Sequence, residues 1–211
     1  MDKFQNTYRI PSSRMQQWDY RWAGAYFITI CTKDKQHYFG EIENENMKLS
    51  DLGILADLFW HEITNHTKNV ELGEFAVMPN HIHGILILNA GSNGIENVET
   101  LHATSPHLTY PHAETLHAET LRAMSLPMQY PINNKHMSNI SPKPNSISAI
   151  IRSYKSAVTK HVHRLGLEFQ WQERFHDHII RDDNSFQTIT NYIINNPANW
   201  QADKFYNETP A

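Results

Sequence analysis

Apolar residues along the chain follow two spacings, one typical of strands and the other of helices. Four runs rich in β-branched and aromatic residues predict strands, at residues 24–32, 70–78, 81–88 and 175–181. A turn at Pro79-Asn80 joins the second of these strands to the third. Residues 38–49 predict a short hairpin between the first strand and the next helix.

Three segments carry apolar residues at helical spacing. The first begins at Ser50, a residue type that caps helices, and continues to Ile63. The second begins at Ser146 and ends at Gly166, and the third spans residues 182–197. Because strands and helices alternate irregularly around one tight strand-strand turn, the order predicts an α/β (α+β) antiparallel sheet carrying helices on one face.

Residues 90–144 differ in composition from the rest of the chain. A near-repeat, Ala-Glu-Thr-Leu-His-Ala-Glu-Thr-Leu-Arg-Ala, occupies residues 113–123, and prolines recur throughout. A loop of this length within one domain is functional or disordered, so we predict a flexible, disordered, low-complexity insertion. The predicted domain is therefore made of residues 23–89 and 145–205, preceded by an N-terminal arm at residues 1–22.

Composition limits the kinds of protein this chain can be. Its 211 residues fit one domain, and the single cysteine, Cys31, excludes a disulfide framework. No apolar run approaches 18 residues and residues 1–14 are polar, so we expect neither a membrane span nor a signal peptide, and a cytoplasmic location. The net charge of −4 argues weakly against general nucleic-acid affinity, but residues 143–181 hold seven basic and three acidic residues among interleaved aromatics.

The strand at residues 81–88 carries the most informative chemistry. Side chains two apart on a strand share a face, so the imidazoles of His81 and His83 would stand side by side. Burying two such rings is unfavourable unless each finds a partner, and a divalent metal ion satisfies both. The alternative is a pair of core histidines with other partners. His-x-His also occurs at residues 161–163, in a helix where the rings diverge, and at residues 176–178, in a second strand.

Two histidines leave a metal ion in need of a further ligand, which the last helix could supply beside a nucleophile. Tyr192 and Asn196 are four residues apart there and would share a helix face. An amide oxygen suits a hard cation. Tyr154 is the rival nucleophile, although its apolar neighbours predict a core position, and Asn195 and Asn196 could instead cap the end of the helix.

Three motifs in this order resemble the REP-associated tyrosine transposases, members of the HUH single-tyrosine (IS200-like) transposase family. They are Met78-Pro79-Asn80-His81-Ile82-His83, residues 171–181 from Trp171 to Arg181, and Asn191-Tyr192-Ile193-Ile194-Asn195-Asn196-Pro197. The resemblance covers residues 23–89 and 145–200. It implies a ferredoxin-like (RRM-like) domain that pairs as a homodimer and acts on single-stranded or hairpin DNA.

The resemblance also implies roles for individual residues. His81, His83 and Asn196 would hold Mg²⁺ or Mn²⁺, with Asn196 standing where glutamine is commoner in related insertion-sequence transposases. Tyr192 would be the nucleophile that forms a 5′-phosphotyrosine, and His178 matches a recurrent position whose role stays open. The expected DNA-binding residues are Arg14, Arg152, Lys155, Arg174, His178 and Arg181.

Two other functions remain compatible with the sequence. A catalytically silent DNA-binding regulator on the same fold would keep the basic segment without depending on a metal. A metal-dependent hydrolase of small phosphodiesters would release its product without forming a protein adduct.

Overall fold

The computed structural model describes residues 18–90 and 142–206, together with the backbone of residues 3–4 and 7–8. The strands are β1 (Lys3–Phe4), β2 (Thr7–Tyr8), β3 (Gly24–Cys31), β4 (Gly40–Glu43), β5 (Asn46–Leu49), β6 (Val70–Met78), β7 (His81–Leu88) and β8 (His176–Ile180). The helices are α1 (Asp51–His61), α2 (Ile63–His66), α3 (Ile147–Arg164) and α4 (Asp183–Asn195), with 3-10 turns at Lys33–Lys35 and Trp200–Ala202.

A four-stranded antiparallel sheet organises these elements. Its strand order is β6-β7-β3-β8, so β7 lies between two strands that α1 connects along the chain. With α3 joining β7 to β8, this is the split β-α-β arrangement of the ferredoxin-like fold. The predicted mixed α/β fold with an antiparallel sheet is confirmed. The predicted hairpin is also present, as the separate pair β4-β5.

Helices α1 and α3 cover one face of the sheet and form the main core with it. Tyr26 and Ile28 of β3 and Leu86 of β7 are fully buried there, together with Trp60 of α1. The Tyr154 hydroxyl of α3 donates a 2.8 Å hydrogen bond to the Ala56 carbonyl of α1. Tyr154 is therefore a core residue that links the two helices, which removes it as a rival nucleophile.

Helix α4 lies on the opposite face, which corrects the expectation that the helices share one face. Ile193 of α4 is fully buried against Ile85 and Ile180, with Phe186 and Ile189 beside it. From Ile85 onward strand β7 is apolar on both sides, and a strand covered on both faces has a near-continuous apolar sequence. The run Ile85-Leu86-Ile87-Leu88 thus already indicated a second covering layer.

The three long helices begin where the sequence predicts. Ser50 accepts a hydrogen bond from the Gly53 N–H, and Ser146 and Asp182 cap α3 and α4 in the same way. In the described ranges, no helix is long and apolar enough to cross a membrane. Arg14 and residues 91–141 lie outside the described residues, so what is predicted of them and of the N-terminal arm stays a prediction.

Gly84 provides a test of how β7 packs on α1. A Cβ atom added at this position would overlap the six-membered ring of Trp60, which stacks on Phe75 and is fully buried. We expect Gly84→Ala to lower the free energy of unfolding by about 1–3 kcal/mol, measured by urea denaturation.

A Trp60→Phe background removes most of the overlapping atoms and serves as the control. In a double-mutant cycle, the cost of Gly84→Ala should be smaller in that background. Equal costs in both backgrounds would contradict the proposed clash.

Candidate metal and nucleophile site

His81 and His83 lie on the face of β7 that α4 covers, and both side chains are fully buried. Their ring centroids are 4.4 Å apart. In the register of the sheet, His83 lies opposite Thr29 of β3, which in turn lies opposite His176 of β8. The pair therefore occupies the centre of the sheet, and the predicted side-by-side placement of the rings is what the structure has.

A chain of hydrogen bonds fixes which nitrogen of His81 carries the proton. The Asn80 Nδ2 group donates to the Phe205 carbonyl at 2.9 Å, which turns the Asn80 Oδ1 atom toward His81. Since an amide oxygen only accepts, the His81 Nδ1–H must donate to it, at 2.8 Å. The His81 Nε2 atom is left as a buried lone pair without a hydrogen-bond partner. In metal-binding histidines, one ring nitrogen likewise donates to an oxygen acceptor, which leaves the lone pair of the other nitrogen available to the metal.

His83 is held by one partner on each side of its ring. Its Nδ1 atom is 2.9 Å from the Thr29 hydroxyl, and its Nε2 atom is 3.1 Å from the Tyr192 hydroxyl of α4. A threonine hydroxyl can donate or accept, so Thr29 is compatible with either tautomer of His83. The candidate nucleophile and a candidate ligand are thus in contact within one chain.

Asp203, which sequence analysis did not select, joins these groups. The Tyr192 hydroxyl donates a 2.7 Å hydrogen bond to the Asp203 Oδ2 atom. The Phe205 backbone N–H donates to Oδ1 at 2.7 Å and fixes the carboxylate. The only sequence signal was its place between the aromatic residues Trp200 and Phe205, both of which are buried.

Asn196 also turns into the site. Its side chain is buried, and its Nδ2 group donates to the Asp203 Oδ2 atom at 2.9 Å. Because that amide orientation is fixed by a carboxylate, the Asn196 Oδ1 atom is a buried acceptor, and it has no hydrogen-bond partner. Asn195, in contrast, donates to the Asn191 carbonyl of its own helix. Asn196, the C-cap residue of α4, therefore turns toward the candidate site, while Asn195 hydrogen-bonds within its own helix.

The free acceptors fit a divalent cation. Among the described residues, His81, His83 and Asp203 each offer a ligand atom, and these atoms all lie within 4.8 Å of one another. The unpartnered His81 Nε2 and Asn196 Oδ1 atoms are nitrogen and oxygen donors of the kinds that bind metals. Buried acceptors without partners are unfavourable, and a bound cation would satisfy them.

Burial controls the charge states in this site. Burial, and next the charge of His83, lowers the pKa of His81 well below its usual value. Burial lowers the pKa of His83 to about 3, against the opposing effect of Asp203. Burial and the hydrogen bond to Asp203 raise the pKa of Tyr192. Burial raises the pKa of Asp203, but hydrogen bonds led by the Phe205 N–H outweigh it and the pKa is lowered. The rings are therefore neutral, as metal binding requires.

Those predicted DNA-binding residues that the structure describes lie around the sheet rather than in this centre. Arg152, Arg174 and Arg181 are exposed, and His178 is exposed on β8 opposite Phe27, on the same sheet face as His83. Lys155 is half-buried and donates to the Gln172 carbonyl at 2.6 Å.

Two lysines that are not among the predicted DNA-binding residues lie near the histidines. The Lys204 and Lys35 ammonium groups are 4.8 Å and 5.9 Å from the Phe205 ring centroid. That ring lies 4.6 Å from the His81 ring, centroid to centroid. The candidate site therefore combines neutral imidazole nitrogens with cationic groups at its edge.

Comparison with known proteins identifies a relative. No protein-family profile matches the chain. An uncharacterized protein of Haemophilus influenzae is 33% identical over 196 residues, which cover 92% of each chain. The chain belongs to the same family as this Haemophilus protein. The name of that relative assigns no activity to the family.

Two solved structures are similar to this chain at low identity. A REP-associated tyrosine transposase bound to a REP hairpin has a TM-score of 0.49 and 16% identity, covering 90% of this chain and 77% of its own. A Deinococcus radiodurans protein assigned as a transposase has a TM-score of 0.33 and 14% identity, covering 87% of this chain and 97% of its own. The first bears the name of the group that the three sequence motifs resemble. At these identities and TM-scores, neither structure indicates an activity for this chain.

The lowered pKa of His83 predicts a loss of stability in acid. Below the unfolded-state pKa of about 6.5 the unfolded chain binds a proton that the folded chain excludes until about pH 3. In buffer with EDTA, His83 alone should lower the free energy of unfolding by about 2 kcal/mol between pH 7.5 and pH 5. Urea denaturation at several pH values measures this.

Variants separate this contribution from those of other groups. In a His83→Gln variant, the free energy of unfolding should fall by about 2 kcal/mol less between pH 7.5 and pH 5 than in the natural protein. His66→Gln is the control at an exposed residue that ends α2, and its free energy of unfolding should fall as in the natural protein. An unchanged pH dependence in His83→Gln would show that His83 is not the group responsible.

Proposed function

We propose that this protein is a metal-dependent endonuclease and strand transferase for single-stranded DNA, a transposase of the HUH single-tyrosine kind. The observation that carries the proposal is the 3.1 Å contact between the Tyr192 hydroxyl and the His83 Nε2 atom, with His81 alongside. A phenol, two neutral imidazoles and an amide oxygen converge within one chain. These side chains are the set that the sequence motifs imply for a tyrosine nucleophile beside a metal.

His81, His83 and Asn196 would hold the metal, which we propose to be Mg²⁺ or Mn²⁺. Their buried ligand atoms fit a divalent cation, and the hydrogen bonds that His81 makes to Asn80 and His83 makes with Thr29 would orient the two rings. The chemistry supplied by a bound cation is stabilisation of negative charge on the scissile phosphate as the bond breaks.

Tyr192 would carry out the covalent step. Its oxygen attacks phosphorus and gives up its proton, forming a 5′-phosphotyrosine, while the bond to the 3′ oxygen breaks and that oxygen takes up a proton to become a 3′-hydroxyl. The phosphodiester energy is kept in the new bond, so the 3′-hydroxyl of another strand can reverse the step and join strands. At 39% exposure, Tyr192 is accessible to a strand entering the site.

The substrate we propose is hairpin or palindromic repeat DNA with a single-stranded cleavage site, in the cytoplasm. Lys35 and Lys204, next to the Phe205 ring, would contact phosphates near the metal. Arg14, Arg152, Lys155, Arg174, His178 and Arg181 would contribute further contacts over a wider surface. Because each chain has one such tyrosine, cutting two ends would require two chains, which favours a homodimer.

A catalytically silent DNA-binding regulator on the same fold is the second candidate. The basic residues around the sheet would serve such a protein equally well. The unpartnered His81 Nε2 and Asn196 Oδ1 atoms favour the enzyme, because a regulator without a metal would keep two buried acceptors unsatisfied.

Formation of a covalent adduct tests the central residue. Purified protein with Mn²⁺ and a labelled hairpin-bearing strand should give a protein–DNA adduct that resists denaturing electrophoresis. Tyr192→Phe should abolish it, because the attacking oxygen is gone. Tyr154→Phe is the matched control and should retain it, since that phenol is buried in the main core, where it donates to the Ala56 carbonyl, on the other face of the sheet from the site. An adduct formed by Tyr192→Phe would refute the assignment.

Removal of the metal separates the enzyme from the regulator. With EDTA, cleavage and adduct formation should stop, while hairpin binding measured by fluorescence anisotropy should persist. If Mn²⁺ gives no cleavage with any hairpin substrate that the protein binds, the regulator is favoured.

The lysines at the edge of the site give a prediction for DNA affinity. We expect Lys35→Ala and Lys204→Ala each to reduce the slope of log binding constant against log salt concentration by about 0.7, the value for one phosphate contact on a single strand. Lys48→Ala is the control, because Lys48 pairs with Glu43 on the hairpin β4-β5. Equal slopes for all three variants would exclude Lys35 and Lys204 from the DNA path.

A further inference from the structure

We propose that Asp203 is an additional ligand of the metal, and that metal binding releases Tyr192 by taking His83 and Asp203 away from its hydroxyl. The inference rests on the metal site of the proposed function, and it adds a carboxylate that the two-histidine, one-amide set lacks. It also gives the C-terminal segment, residues 200–206, a direct part in the site.

Asp203 is held in place as a ligand must be. The Phe205 N–H fixes the Oδ1 atom, and Asn196 Nδ2 and the Tyr192 hydroxyl both donate to the Oδ2 atom. The segment itself is anchored, because the Phe205 carbonyl accepts from Asn80, the residue that also orients His81. A single hydrogen-bonded chain thus links Asp203 to the ring whose Nε2 lone pair is free.

The position of the carboxylate fits coordination beside the histidines. One ligand atom each from His81, His83 and Asp203 lies within 4.8 Å of the others, close enough for one cation to contact all three. The Asp203 oxygens accept three hydrogen bonds, from the Phe205 N–H, Asn196 Nδ2 and the Tyr192 hydroxyl, as a carboxylate does, so Asp203 supplies the negative charge that two imidazoles and an amide do not. Hard divalent cations favour a charged carboxylate oxygen in their coordination shell.

The Tyr192 hydroxyl contacts two of these three ligands. It donates to Asp203 Oδ2 at 2.7 Å, and since its one proton is used there, His83 Nε2–H must be the donor in the 3.1 Å contact between them. A metal on His83 requires that Nε2 atom without its proton. The His83 Nε2 atom therefore cannot donate to Tyr192 and bind a metal at the same time.

Thr29 allows His83 to change between these arrangements. Without metal, the Thr29 hydroxyl donates to the His83 Nδ1 atom; with metal, the proton moves to Nδ1 and the same hydroxyl accepts from it. The ring keeps one proton throughout, and the protein needs no other rearrangement at this residue. The phenol loses its donor and its acceptor together and becomes free to approach a phosphate.

Competition between the Tyr192 hydroxyl and the metal predicts a change in metal affinity that would not arise if Tyr192 only stabilised the fold. Tyr192→Phe removes the competing hydroxyl, so this inactive variant should bind metal more tightly than the natural protein, by about fivefold or more, the value of one to two net hydrogen bonds. Asp203→Asn should bind metal about tenfold or more weakly, because the charged ligand is lost.

Isothermal titration calorimetry with Mn²⁺ and with Mg²⁺, on full-length protein without DNA, measures both effects. Tyr154→Phe is the matched control and should bind metal as the natural protein does. Weaker or unchanged binding by Tyr192→Phe, or unchanged binding by Asp203→Asn, would overturn the proposal. If Asp203→Asn fails to fold by circular dichroism, Tyr192→Phe alone decides.

The measurement is independent of DNA cleavage. Tighter metal binding by Tyr192→Phe supports the role of Asp203 and Tyr192 even if no DNA substrate is cleaved. Conversely, cleavage that depends on Tyr192, together with unchanged metal binding in both variants, leaves the proposed function intact and refutes this inference.

Discussion

The structure depends on the complete burial of two imidazoles in the middle of a sheet. A buried polar ring needs a partner for each nitrogen, and three of the four nitrogens of His81 and His83 have one, from Asn80, Thr29 and Tyr192. The fourth, His81 Nε2, has none. The arrangement of the surrounding residues follows from this requirement: the turn before β7, the neighbouring strand and the last helix each supply one partner.

The covering layers make that burial possible. Strand β7 packs against α1 and α3 through Ile82 and Leu86, and against α4 through Ile85. The second layer brings Tyr192 and Asn196 over the histidines, and the segment at residues 200–206 closes the remaining side with Phe205. A ferredoxin-like sheet with helices on one face would leave His81 and His83 open to water. Helix α4 and the C-terminal segment therefore convert a strand motif into a site.

Local patterns in the sequence are sufficient to predict most of the secondary structure and part of the candidate site. The strands, the helix caps at Ser50, Ser146 and Asp182, and the shared face of His81 and His83 follow from spacing along single elements. The placement of α4 could not be obtained in this way, because an amphipathic helix does not record which face of the sheet it covers. The run Ile85-Leu86-Ile87-Leu88, which is apolar on both faces of β7, contains part of that information, because it predicts a covered second face without identifying the element that covers it.

Asp203 could not be predicted from the sequence, for a different reason. It lies in a short irregular segment whose conformation is set by contacts with Asn80 and the histidine rings, so no periodicity marks it. An acidic residue in such a segment has no distinguishing feature until the partners of the chain are known in three dimensions. Lys35 and Lys204 were missed for the same reason, since they are 169 residues apart and meet only through the fold.

The proposed function requires a divalent metal ion bound between these buried histidines. A crystal structure of the protein soaked in Mn²⁺, with anomalous data, can locate such an ion. We expect an anomalous peak within coordination distance of the Nε2 atoms of both His81 and His83. A fully folded site with both rings in place and no peak between them, at saturating Mn²⁺, would contradict it.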